Sequence, residues 1–74
     1  MANEFRRQYA DLLMTKIEEA HYPSIELMNR LESALGAREQ AEEYARVLFE
    51  KIGDDQYPSL QMLDRVDRLV RLLD

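Results

Sequence analysis

The only histidine of the chain, His21, follows Glu18 by three residues, which gives the spacing Glu-x-x-His. On a helix this spacing places both side chains on one face, and di-iron carboxylate proteins use the pair twice, with further carboxylates from facing helices. Here the pair occurs once, and a Tyr-Pro-Ser segment typical of a helix boundary follows His21 directly. We therefore interpret His21 as an exposed or capping histidine, and we predict neither a metal site nor a cofactor.

Other residues that support catalysis are sparse. The chain has no cysteine, which excludes thiolate nucleophiles, disulfides and sulfur-ligated metals. It has no glycine-rich phosphate loop, and two of its three serines have the position of helix caps. A carboxylate pair would need a dry cleft to shift a pKa, and a core of this size leaves little room for one. The prediction is a protein that is not an enzyme and has no small-molecule substrate.

The 74 residues consist largely of one unit that occurs twice. A shift of 35 positions aligns residues 2–36 with residues 37–71 without a gap, and 11 of the 35 pairs are identical. Eight further pairs exchange one apolar residue for another. These observations indicate a tandem duplication. We predict a single domain over residues 1–74, because a chain of this length supports only one core.

Apolar residues recur at helical spacing in four segments, and the alternation typical of strands is absent. The sequence therefore predicts an all-α fold of two tandem helical hairpins that form a small four-helix bundle. The predicted helices lie near residues 3–20, 24–35, 38–52 and 59–73. The period is close to that of tetratricopeptide repeats, but their Trp/Leu-Gly/Tyr pattern is missing, and the proline of each unit lies between its two helices. We therefore do not assign the chain to the tetratricopeptide repeats.

The boundary within each hairpin and the boundary between the hairpins each leave two alternatives open. In each Tyr-Pro-Ser segment, either the serine is the N-cap of the second helix or the proline is its first residue. Between the hairpins, Gly36 either ends the second helix in a turn or lies inside one bent helix from Ser24 to Ile52. We further expect Gly53 to end the third helix in a left-handed conformation.

Apolar residues outside the main helix stripes are the candidate partner-binding residues. Leu12 and Met14 fall on opposite flanks of the first helix, and Val47 and Phe49 repeat this arrangement in the third. Leu72 lies outside the stripe of the fourth helix. These flanks either complete a closed bundle or form a surface patch for another chain.

Tyr22 and Tyr57 mark the two inter-helix turns and are candidates for the same surface. In one interpretation each ring packs over its turn while the hydroxyl stays in water. In the other, the duplication presents the two tyrosines as a paired recognition feature.

Charge and hydropathy restrict the classes of partner that the chain could bind. The net charge of −5 argues against binding to nucleic acid, which requires basic residues that neutralise phosphates. No apolar run approaches the roughly 18 residues of a membrane span, and the first residues lack the layout of a signal peptide. We expect a cytoplasmic protein that contacts no membrane.

The leading hypothesis is a non-catalytic protein–protein interaction module, such as a helical adaptor, scaffold element or small subunit. It would bind another protein, or itself as a homodimer of pseudo-twofold units, through apolar helix flanks and acidic faces. The alternative is a small acidic inhibitor of a basic or nucleic-acid-binding protein, comparable in role to an immunity protein or antitoxin. A helix-turn-helix DNA binder is a third class, but the second helices of the hairpins are nearly neutral.

Overall fold

The computed structural model describes residues 2–74, with side chains from Glu4 onward. Over this range the chain forms four α-helices and no strand: α1 Ala2–Glu19, α2 Ile25–Ala34, α3 Arg38–Asp54 and α4 Leu60–Leu73. α1 packs against α2 and α3 packs against α4, and the two hairpins meet through α1 and α3. The predicted all-α fold of two helical hairpins in a small four-helix bundle is confirmed. A separate turn, rather than one bent helix, connects α2 to α3.

The two hairpins lie side by side, with α1 parallel to α3. Near the start of α3, the Gln40 amide donates hydrogen bonds to the first half of α1, to the Arg7 carbonyl at 3.3 Å and to Asp11 Oδ1 at 3.1 Å. Near the end of both helices, Lys51 Nζ donates to the Ala20 carbonyl at 2.6 Å. Both Tyr-Pro-Ser turns therefore lie at the same end of the molecule.

One contiguous core joins the helices. Its buried side chains come from all four helices and are mostly aliphatic: Ala10, Leu13, Met14, Ile17, Met28, Leu31, Ala34, Tyr44, Ala45, Val47, Leu48 and Leu69. Tyr44, Ile17, Leu31 and Leu48 are the largest fully buried side chains. Since α4 contributes one buried apolar residue, the core is concentrated on α1, α2 and α3.

Serine side chains start the second helix of each hairpin. Ser24 Oγ accepts a hydrogen bond from the Leu27 amide at 3.1 Å, and Ser59 Oγ accepts one from the Met62 amide at the same distance. Both serines have extended backbone angles and are N-caps. This geometry decides between the two alternatives, because the prolines precede the caps and are not the first helical residues.

Basic side chains from neighbouring helices cap helix C-termini across the structure. Arg6 donates to the carbonyls of Ser33 and Ala34 at 3.1 Å, at the end of α2. Lys51 does the same for α1, and Arg38 bonds the Leu73 carbonyl at the end of α4. These cations satisfy carbonyls that have no helical partner, and they lie at the negative ends of the helix dipoles.

The expectation of a left-handed glycine at the end of α3 is wrong. Neither Gly36 nor Gly53 has a positive φ, and α3 continues through Gly53 to Asp54. The amide of Asp55 then bonds the Ile52 carbonyl at 3.2 Å and closes the last turn. At the end of α2, the contacts from Arg6 satisfy the carbonyls that a glycine motif would otherwise satisfy.

Candidate binding groove and outer faces

The two Tyr-Pro-Ser turns line one cavity of about 580 Å³, which we call the turn groove. Tyr22 and Pro23 form part of one wall, and Tyr57 and Pro58 form part of the other. The groove exists because the hairpins are parallel, which brings equivalent turns together. Its volume lies within the range of pockets that bind ligands or short peptide side chains, about 300–1,000 Å³.

The tyrosine rings stand away from their turns. Tyr22 is 75% exposed and Tyr57 is 83% exposed, so neither ring packs over its turn as the first interpretation required. The Tyr22 ring meets His21 edge to face, with ring centroids 4.3 Å apart. In the other turn, the Tyr57 amide donates to Asp55 Oδ1 at 3.1 Å, which fixes the backbone of that turn. Two aromatic side chains are thus held at the rim of one groove with most of their surface free.

Apolar side chains line the groove between the two turns. Met28 is buried, whereas Ile52 and Met62 are partly buried and Ile25 is half-exposed. An apolar floor with aromatic rims is the surface chemistry of protein-interaction hot spots, where tyrosine is enriched.

A second cavity of about 650 Å³ adjoins the groove and is mainly acidic. Its carboxylates come from the end of α1 and from α3: Glu18, Glu19, Glu43, Glu50 and Asp54. The two cavities share His21, Lys51 and Asp54. Lys51 Nζ donates hydrogen bonds to the carbonyls at the end of α1. Its side chain is therefore part of that helix cap and also part of the cavity wall. The acidic cavity gives one side of the turn groove a negative potential that favours basic ligands.

The predicted partner-binding residues divide into buried and exposed sets. Met14 and Val47 belong to the core, because they fill space where the hairpins meet. Leu12, Phe49 and Leu72 are exposed, together with the two tyrosines of the groove. The apolar surface open to a partner is therefore smaller than the sequence indicated. The structure brings the two tyrosines together at one groove. Leu12 and Phe49 lie on different helices, α1 and α3.

The two hairpins use different faces where they meet. On α3, the side chains that meet the first unit recur at helical spacing and are buried or bonded to it: Gln40, Tyr44, Val47 and Lys51. Their equivalents on α1 are Phe5, Tyr9, Leu12 and Lys16, and all four are exposed. A twofold axis would bury equivalent residues alike. The units are instead related by an approximate translation, which corrects the pseudo-twofold expectation.

A polar network that the sequence did not reveal lies at the same interface. Tyr44 Oη donates to Glu32 Oε2 at 2.6 Å, and Arg65 Nη1 donates to the same oxygen at 2.5 Å. Arg65 Nη2 also donates to Asn29 Oδ1 at 2.8 Å. Burial raises the pKa of the Tyr44 hydroxyl far above its ordinary value, and the hydrogen bond to the Glu32 carboxylate raises it further. Tyr44 therefore remains a neutral donor that links α3 to α2.

His21 stays exposed at the start of the first turn. Among the residues that the structure describes, no three His, Cys, Asp or Glu side chains are grouped so that they could hold a metal ion. Nor does any helix of residues 2–74 combine the length and the apolar character that crossing a bilayer requires.

Comparisons with known proteins identify no relative: no family model, no curated protein and no solved structure matches this chain. The functional interpretation therefore depends on the groove and on the outer faces of the helices.

Proposed function

We propose that the protein is a non-catalytic protein–protein interaction module whose binding site is the turn groove. The observation that carries the proposal is the position of Tyr22 and Tyr57, largely exposed at the rim of a single cavity with an apolar floor. Rigid aromatic side chains bury a large area at a low cost in conformational entropy, so they are effective anchors for a partner. A cytoplasmic location is part of the proposal, since the small core contains no disulfide.

The chemistry of the groove favours a particular occupant. The space between the tyrosines suits an extended segment with apolar side chains, because the walls are aromatic and the floor is aliphatic. Asp54 and Asp55 lie at the groove, and the acidic cavity continues from it. We therefore propose an extended peptide segment of a partner protein, with lysine or arginine beside its apolar anchors.

The test is selection of peptides followed by mutation of the groove. Random peptides displayed on phage are selected on the immobilised protein, and the affinity of the winners is measured by fluorescence anisotropy. We expect enrichment of segments that combine apolar and basic residues. Tyr22→Ala and Tyr57→Ala should each weaken binding about 30-fold, as expected for the loss of an aromatic hot spot worth about 2 kcal/mol.

The matched control is Tyr9→Ala, which removes an exposed tyrosine outside the groove and should leave peptide affinity unchanged. Circular dichroism of each variant verifies that the helices remain. The proposal fails if no peptide binds more tightly than about 1 mM, or if the double variant Tyr22→Ala/Tyr57→Ala retains full affinity.

The acidic inhibitor of a basic protein remains the second candidate function, and the acidic cavity favours it. The two candidates differ in their dependence on salt. Binding through the aromatic groove should persist at 1 M salt, where the Debye length is about 3 Å, whereas occlusion of a basic surface by carboxylates should be lost.

A further inference from the structure

We propose that copies of this chain associate head to tail by continuing the stacking that joins its own two hairpins. The partner is a second copy of the same chain. Its first unit would pack on the second unit of the preceding copy, as the second unit already packs on the first. The proposal concerns the outer faces of the stack and is independent of the turn groove.

The surface at one end of the stack is called here the first outer face. It consists of the repeat equivalents of the residues with which unit two contacts unit one: Phe5, Tyr9, Leu12, Lys16 and Arg30. Phe5 is 72% exposed and Leu12 is 55% exposed, whereas their equivalents Gln40 and Val47 are buried. An apolar stripe of this kind on a helix is unusual for a surface that contacts only water.

The surface at the other end is the second outer face. It consists of the equivalents of the residues with which unit one receives unit two: Arg46, Phe49, Gly53, Asp64 and Asp67. Met14 is buried in the core, and its equivalent Phe49 is 48% exposed. Each end of the stack thus exposes an apolar surface whose equivalent within the molecule is covered.

The hydrogen bonds that Tyr44 and Arg65 make across the internal interface have counterparts at the new one. Within the molecule, Tyr44 and Arg65 both donate to Glu32. A shift by one unit replaces these donors with Tyr9 and Arg30, which are the same residue types, and replaces the acceptor with Asp67 of the preceding copy.

Asn29, the second acceptor for Arg65, is likewise replaced by a carboxylate, Asp64. Lys51 caps the carbonyl end of α1, and its equivalent Lys16 would reach the carbonyl end of α3 in the preceding copy. Arg30 on the first outer face thus opposes the carboxylates Asp64 and Asp67 on the second. Lys16 opposes the negative end of the α3 dipole, so these contacts pair opposite charges.

The hydrogen bonds of Gln40 and one rim ion pair do not carry over. Gln40 donates to Asp11 Oδ1 and to the Arg7 carbonyl, whereas its equivalent Phe5 has no donor. Arg7 and Glu39 form an exposed ion pair at 3.8 Å, and their equivalents Glu42 and Glu4 are both acidic. Exposed rim pairs contribute little, so this pair reduces the affinity without preventing the contact. A contact between two different faces does not close on a twofold axis, so it generates open chains or rings.

The test is the mass in solution by light scattering coupled to size exclusion, over a hundredfold range of concentration. The wild-type mass should rise with concentration beyond a dimer. Leu12→Asp disables the first outer face and Phe49→Asp disables the second; both positions are exposed, so each variant should fold. Each variant alone should remain a monomer, because the contact joins a first outer face to a second outer face and every copy of a single variant retains only one of the two.

The decisive sample is an equimolar mixture of the two variants. It should contain a one-to-one dimer, in which the intact second face of Leu12→Asp binds the intact first face of Phe49→Asp. Leu72→Asp is the control, since Leu72 is exposed and lies on the side of α4 that carries the buried Arg65, away from Asp64 and Asp67. It should associate as the wild type does.

Three outcomes overturn the proposal. The wild type could remain a monomer throughout, one single variant could still dimerise by pairing like faces, or the mixture could stay monomeric. None of these outcomes affects the peptide affinity of the turn groove, so the two proposals fail separately.

Discussion

Glu32→Ala should destabilise the protein by about 3 kcal/mol or more, because it leaves the buried Arg65 guanidinium without its main counter-charge. It also removes the acceptor of the buried Tyr44 hydroxyl. A buried donor without a partner costs a further 1–3 kcal/mol or so. Arg68 Nη2 lies 3.6 Å from the other Glu32 oxygen but is largely exposed, so the loss of this contact adds little.

The measurement is urea unfolding followed by circular dichroism. A domain of this size is typically stable by about 4–11 kcal/mol, so the expected loss is a large fraction of the total. Glu32→Gln keeps an acceptor for Tyr44 but removes the charge, and it should fall between the wild type and Glu32→Ala. The control Glu39→Ala breaks an exposed pair and should change the free energy of unfolding by less than about 1 kcal/mol. If Glu32→Ala were as stable as Glu39→Ala, the network would not hold the hairpins together.

Tyr44→Ala should destabilise the protein by about 3–5 kcal/mol, because it removes a fully buried aromatic ring from the interface between the hairpins. The duplication supplies a matched control. Tyr9 is the same residue type at the equivalent position of the first unit, but it is 43% exposed. Tyr9→Ala should therefore have a much smaller effect on the free energy of unfolding.

Tyr44→Phe distinguishes the contribution of the ring to the free energy of unfolding from that of the hydroxyl. It preserves the packing and leaves Glu32 with its hydrogen bond from Arg65, so it should cost about 1 kcal/mol. All three variants are compared by urea unfolding at a concentration where the wild type is monomeric. Equal losses for Tyr44→Ala and Tyr9→Ala would mean that the two tyrosines have like environments, which the stacking by translation does not allow.

Much of the fold was predictable from the sequence because its determinants are local. The helical spacing of apolar residues and the repeated Tyr-Pro-Ser segments placed each helix boundary within about two residues of its position in the structure. The caps provided by Ser24 and Ser59 bond amides three positions away, so the sequence alone could offer them as one of two alternatives.

The way in which the hairpins meet was not predictable by the same means. Leu12 and Val47 are equivalent apolar residues in the two units, as are Met14 and Phe49. Periodicity assigns both members of each pair to a helix flank and cannot say which member is buried. That choice depends on the direction of stacking, which long-range contacts such as Tyr44–Glu32 and Lys51–Ala20 determine.

The candidate site was predictable only in part. The repeated tyrosines were recognisable as a pair, but the groove between them required the parallel arrangement of the hairpins. The exchange of Phe5 for Gln40 was one signal of asymmetry available in the sequence. An aromatic residue in one unit and an amide at the same position of the other indicate that the two positions have different surroundings.

Both the turn groove and the head-to-tail interface depend on stacking by translation, and the solvent exposure of equivalent side chains tests this most directly. A soluble paramagnetic probe is added to protein labelled at its methyl groups and aromatic rings, at a concentration where light scattering gives a monomer. The NMR signals of Leu12 and Phe49 should broaden strongly, while those of Val47 and Met14 stay protected. Equal broadening within each equivalent pair, Leu12 with Val47 and Met14 with Phe49, would mean a twofold bundle and would contradict the stacking described here.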